Sequence, residues 1–135
     1  MEFIESVELE KAFVHLLNEN RVKIVIKEHA ELDENDIRVI NNAKNAFVKH
    51  DPYTVIFVAP KIGSISRKAR ELSASKEVCF NAICKAIVAA SKTSTVVGSF
   101  FITFMKPYAP IKLFSNEEAA FKWVKKMQLE METIL

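Results

Sequence analysis

Glycine and proline are scarce in this chain, at 2 and 4 of 135 residues. With so few backbone joints there is no flexible linker, and the length suits one domain, residues 1–135, around one core. Cysteine is scarce too. Cys79 and Cys84 make no disulfide framework, their spacing is wrong for half a zinc site, and no second pair exists. His15, His29 and His50 are scattered without a shared motif. Neither a metal nor a cofactor is therefore expected.

Long apolar runs are also missing. The longest, such as residues 86–90, are far too short to span a bilayer. The segment MEFIESVELE is acidic and alternating, whereas a signal peptide needs a basic start followed by an apolar run. A cytoplasmic address without a membrane span is the expectation. No charge sign dominates: 19 basic and 17 acidic residues are well mixed, for a net charge of +2. A nucleic-acid binder usually carries a basic stripe, so no nucleic-acid partner is expected. The densest basic stretch, Arg67, Lys68 and Arg70, is offset by Glu71 and Glu77 and reads as a solvated helix face. Catalytic signatures are absent as well. There is no GxSxG, no Gly-rich phosphate loop and no HExxH, and Ser64 and Ser66 have no histidine nearby in sequence. A non-enzymatic protein is expected, because nucleophilic catalysis needs a nucleophile, a base and an orienting group.

What is present is a folded α/β pattern. Half the residues are hydrophobic and 27% are charged, which excludes a disordered chain. Residues 11–17 and 22–27 alternate, and Asn18-Glu19-Asn20 between them predicts a tight turn, hence an N-terminal β-hairpin. Residues 2–10 add an edge strand or an early start to the first strand. Asp33 is placed to cap a helix that buries Ile37, Ile40, Ala43 and Phe47 and ends near His50, ahead of Asp51-Pro52. Residues 54–59 are nearly all apolar and β-branched, as in a central strand covered on both faces. A loop with Pro60 and Gly63 follows. Then comes a helix opened by Ser64 or Ser66, with Ala69, Leu72 and Ala74 inward. Residues 82–90 read as a second central strand. Residues 93–106 carry Val96, Val97, Phe100, Phe101, Phe104 and Met105 at helical spacing, stopped by Pro107 and Pro110. Residues 111–114 make a short strand. A capping box of Ser115 and Glu118 then opens a helix with Ala119, Ala120, Trp123, Val124 and Met127 buried. The order β-β-α-β-α-β-α-β-α predicts an open mixed sheet of four to five strands with about four helices, mainly on one face.

This order, with its strand-loop-serine-helix centre, resembles the STAS fold of bacterial anti-sigma-factor antagonists. A group of uncharacterised bacterial STAS-like proteins, related in shape to CRAL-TRIO lipid-binding domains, is the nearer likeness. The residues that carry it are Ile62, Gly63, Ser64, Ile65, Ser66, Arg67, Lys68, Ala69 and Arg70 at the centre. The run Lys106, Pro107, Tyr108, Ala109, Pro110, Ile111, Lys112, Leu113 and Phe114 follows, with Glu118, Ala119 and Trp123 beyond. In the antagonists a kinase phosphorylates a serine at the start of the central helix within Asp-Ser-Ser-Gly, and this switches partner binding. Aligned strictly, Ser66 falls on the family's aspartate and Arg67 on its phosphorylated serine.

The resemblance implies a binding or regulatory module that meets a protein partner through the loop and helix start after the central strand. Ser64 and Ser66 are candidate phosphorylation or anion sites, with Arg67 and Lys68 as anion partners; the plainer reading of Ser66 is an N-cap alone. The alternative function is carriage of a small apolar ligand or lipid in a Phe-rich cavity at Phe100, Phe101, Phe104 and Tyr108. An ordinary core explains the same aromatic stripe. A homodimer is a further candidate, because Met131, Ile134 and Leu135 extend an apolar stripe along the C-terminal helix.

Overall fold

The computed structural model describes residues 3–89 and 108–134. Strand β1 (Glu5–Glu8) is an exposed edge strand, paired antiparallel with β2 (Ala12–Leu17). Strand β3 (Arg21–Ile26) pairs antiparallel with β2, completing the hairpin. The turn between them is a single 3₁₀ turn, Asn18–Asn20, in which Glu19 and Asn20 take φ of 61° and 57°. Two successive left-handed residues reverse the chain tightly, and asparagine tolerates that region better than most residues. The Asn20 side-chain amide also donates to the Pro52 carbonyl at 2.9 Å.

Beyond β3 the sheet becomes parallel. Strands β5 (Tyr53–Val58), β7 (Ala82–Val88) and β8 (Ile111–Phe114) add in turn, giving the order β1-β2-β3-β5-β7-β8. The main sheet thus has six strands, slightly more than expected, because β1 adds an edge. A separate parallel pair, β4 (Glu31–Leu32) with β6 (Ser64–Ile65), is a feature the sequence did not show. Two-residue strands leave too little periodicity to read.

Helix α1 (Glu34–Val48) begins at Asp33 in a reciprocal capping box with Asp36. Helix α2 (Arg67–Ser73) begins at Ser66, and a one-turn helix α3 (Lys76–Cys79) follows. Helix α4 (Glu117–Ile134) closes the described chain. Its cap is Asn116, whose Oδ1 accepts from the Ala119 amide at 2.8 Å, rather than Ser115. Asparagine competes well with serine as a cap, and α4 begins at Glu117, one residue later than a Ser115 cap requires. The expected helix at 93–106 lies outside the described residues.

The sheet is covered on both faces, not mainly on one. Tyr53, Val55 and Phe57 of β5 join Ile37, Ile40, Val48 and Ala69 in one core; Ile56 and Val58 join Ala86, Ala120 and Val124 in the other. Every residue of β5 is buried, because alternate side chains face opposite layers. Each such valine or isoleucine contributes roughly 1.5–3 kcal/mol relative to exposure. At the sheet's hairpin side the α4 layer is tied down by a polar network. The buried Arg21 guanidinium donates to Gln128 Oε1 and to Glu19, and Gln128 donates to the Glu19 carbonyl.

Candidate functional site

Two regions combine chemistry with shape. The first is where the sequence pointed. Parallel pairing of β4 with β6 brings the starts of α1 and α2 side by side. The Ser66 amide donates to the Leu32 carbonyl at 2.9 Å, locking the two segments together. Between them opens a cleft of about 400 Å³ lined by Lys11, Glu31, Asp33, Ser64 and Ser66. Gly63 makes this approach possible. A Cβ there would lie 2.5 Å from the His29 carbonyl oxygen and 3.1 Å from that of Ala30.

Several polar groups at this cleft are already engaged. Lys11 Nζ lies 2.8 Å from Asp36 Oδ2, and this hydrogen bond raises the lysine's pKa. Burial works against the Asp36 carboxylate, but bonds from Lys11 and the Asp33 amide prevail and hold its pKa below the usual range. Ser66 Oγ accepts from the Ala69 amide at 3.1 Å and is the α2 cap. Arg67 turns to Glu71, one helical turn on, at 3.0 Å. Lys68 is exposed on α2. Of the four expected residues, then, Ser64 and Ser66 meet in the cleft, while Arg67 is paired away from it.

The second region was missed at the sequence level. Lys44 of α1 and Lys85 of β7 are 3% and 6% exposed, inside the core between α1 and the sheet. Lys44 Nζ donates to Tyr53 Oη at 2.7 Å and to the Val78 carbonyl at 2.5 Å, and Tyr53 Oη donates to the same carbonyl at 3.0 Å. Lys85 Nζ lies 3.4 Å from the Ser73 carbonyl, which also accepts from Cys79 Sγ at 3.1 Å. The two ammonium groups sit over aromatic rings, Lys44 over Tyr53 at 4.5 Å and Lys85 over Phe57 at 5.2 Å. Burial pushes the Lys44 pKa down to about 8, with the Lys85 charge adding to the fall, and burial lowers Lys85 as well. Asn41 Oδ1, on the turn of α1 before Lys44, is buried without a hydrogen-bond partner. A small cavity of about 30 Å³ lies among these groups.

The signal was present in the sequence. Lys44 falls on the buried stripe of α1, seven residues after Ile37 and four after Ile40. Lys85 interrupts an otherwise apolar strand. A lysine in an apolar position is the trace such a site leaves in one dimension.

Of the expected Phe-rich site, only Tyr108 falls among the described residues. Phe100, Phe101 and Phe104 lie outside the described residues. Tyr108 is 50% exposed, its amide bonded to the Ala74 carbonyl. Among the described residues no cluster of three metal-ligating side chains occurs, and no helix is long and apolar enough to cross a membrane.

No curated protein matches this chain. Among solved structures it is similar to an uncharacterised protein of the DUF3478 family with a SpoIIAA-like fold, from Shewanella loihica PV-4. The TM-score is 0.50 at 13% identity, over 89% of this chain and 90% of that one. At that identity the likeness speaks for the fold, and the domain is STAS-like, as its element order implied. Residues 16–128, most of the chain, match the family described as Domain of unknown function (DUF7793), and the protein belongs to that family.

Proposed function

We propose that this domain is a non-enzymatic recognition module that docks a segment of a partner protein in the cleft between the starts of α1 and α2. The observation that supports this reading is the cleft itself. It is open, it is held by Gly63 and the β4–β6 pair, and it presents Ser64 and Ser66 beside Glu31 and Asp33. Hydroxyls next to carboxylates suit a neutral or basic segment. A phosphoryl group on Ser66 would displace the helix cap and set nearly two negative charges beside Asp33, so modification there acts as an off state. Self-association through α4 belongs to the same proposal. Leu129 is exposed and Met131 half-buried on that helix, while the side chains of residues 133–135 lie outside the described ones.

The test is photo-crosslinking in cells of the source organism, with a benzoylphenylalanine placed at Ser64 or, for comparison, at Glu118 on α4. A discrete protein adduct at Ser64 alone, weakened by Ser66→Glu, is expected. Equal labelling at both positions, or none at Ser64, rejects the cleft as the docking surface.

A further inference from the structure

The Lys44–Lys85 region is unusual for its charge balance. A buried ammonium is ordinarily paired with a carboxylate, because removing an isolated charge from water is expensive. Here two lysines share one core. The titratable groups lining the cavity are Lys44 from α1, Tyr53 from β5, Cys79 from α3 and Lys85 from β7. Among the described residues no Asp or Glu lines it. The acidic side chain on α3, Glu77, is turned outward to Arg38 at 3.4 Å. The lysines are met instead by neutral dipoles, the carbonyls of Val78 and Ser73 and the Tyr53 hydroxyl.

The cavity has the size for one small occupant. A single water needs on the order of 10–15 Å³ of such space, and about 30 Å³ is present. Its walls are otherwise apolar, with Ile24, Ile37, Ile40 and Val55 facing the amines. A second unmet group points to the same place: Asn41 lines the cavity, is 7% exposed, and its side-chain oxygen has no partner. Tyr53 also lines an open outer cleft of about 380 Å³ with Lys49, His50 and Asn81. Tyr53 therefore borders both spaces.

We infer that this cavity is a binding site for a small monovalent anion, no larger than a halide or the carboxylate head of a small acid, held by Lys44 and Lys85. The anion supplies the missing countercharge. Its binding stabilises the protonated lysines, so it is tight at neutral pH and fades as they lose their protons. The site lies in the core and is distinct from the α1–α2 cleft.

The experiment uses the intact protein. Thermal unfolding is followed at pH 7 and constant ionic strength while fluoride is replaced by chloride, bromide or formate. A saturable rise is expected, roughly 5 °C at about ten times the dissociation constant. General salt effects are unsaturable and survive substitution, so the rise must be absent from Lys85→Met and lost at pH 10. Bromide-soaked crystals of the wild type must show an anomalous peak beside Lys44 and Lys85, a readout that stands even where the variant does not fold. Strongest saturation by halides assigns an inorganic ion, and strongest saturation by formate assigns an organic acid. No saturable effect, an equal effect in Lys85→Met, or an empty cavity after the bromide soak overturns the inference.

Discussion

Lysine plays two opposite parts in this domain. Lys11, at the α1–α2 cleft, is solvated and pairs with Asp36, and its charged form is favoured. Lys44, two turns along α1 from Asp36, is buried among carbonyls and a phenol, and its charged form is disfavoured. The difference lies in the partner and the solvent, since both side chains carry the same amine. The cleft pairs its one lysine with Asp36 and keeps Glu31 and Asp33 beside Ser64 and Ser66, so it presents acidic and hydrogen-bonding edges to a partner. The core holds charges that are not balanced, so it presents a demand for an anion.

The largest expected effect tests the buried side of this contrast. Lys44 has a pKa of about 8 in the folded state against 10.5 in the unfolded chain. Between those values the unfolded state binds the extra proton, so stability from this group rises with pH across that window and is level below 8. Cys84, pushed up to about 12 by burial, and Tyr53, also raised by burial, oppose the rise above roughly pH 9 and 10. The comparison of wild type with Lys44→Met removes their share. In buffer free of halide and small carboxylates, the wild type should gain roughly 2–3 kcal/mol on the variant between pH 8 and 10. Urea titrations at several pH values measure it, and parallel curves would show that Lys44 is not held neutral.

A smaller effect tests the cleft. Gly63→Ala places a methyl group against two carbonyl oxygens of the backbone, which cannot rotate away. A loss of about 2 kcal/mol is expected, together with slower crosslinking from Ser64, because the β4–β6 pair that spaces the helix starts must shift. Unchanged stability would mean that the close approach of residues 29–30 to Gly63 is not maintained in solution. Smaller again is Ser66→Ala. Loss of the cap to the Ala69 amide should cost about 1 kcal/mol by denaturant midpoint, with the buried lysines and their pH dependence untouched. A change in the anion response of that variant would break the separation of the two regions.

How much of this was legible differs between the two regions as well. The cleft could be located because caps and turn residues act locally: Asp33 and Ser66 bond amides three residues away, and both caps stand where the sequence pointed. Asn116 shows the margin of that method, since Ser115 and Asn116 are both good caps and only the start of α4 at Glu117 separates them. The β4–β6 pair escaped because its contacts join residues 33 positions apart in strands too short to carry a period. The buried pair escaped for a related reason. Lys44 and Lys85 are 41 residues apart in the chain, and although each stands at an apolar position, nothing local joins the two.

By itself the sequence determined the alternation of strands and helices, the hairpin with its Asn-Glu-Asn turn, the nearly all-apolar central strand and the capped helix starts. These follow from bonding and burial patterns within a few residues. Only the tertiary structure decided which helix covers which face, that two helix starts share one cleft, and that two lysines meet in a core without a carboxylate. Those outcomes depend on packing between distant segments, where the cost of burying a charge is set by neighbours that no local pattern names.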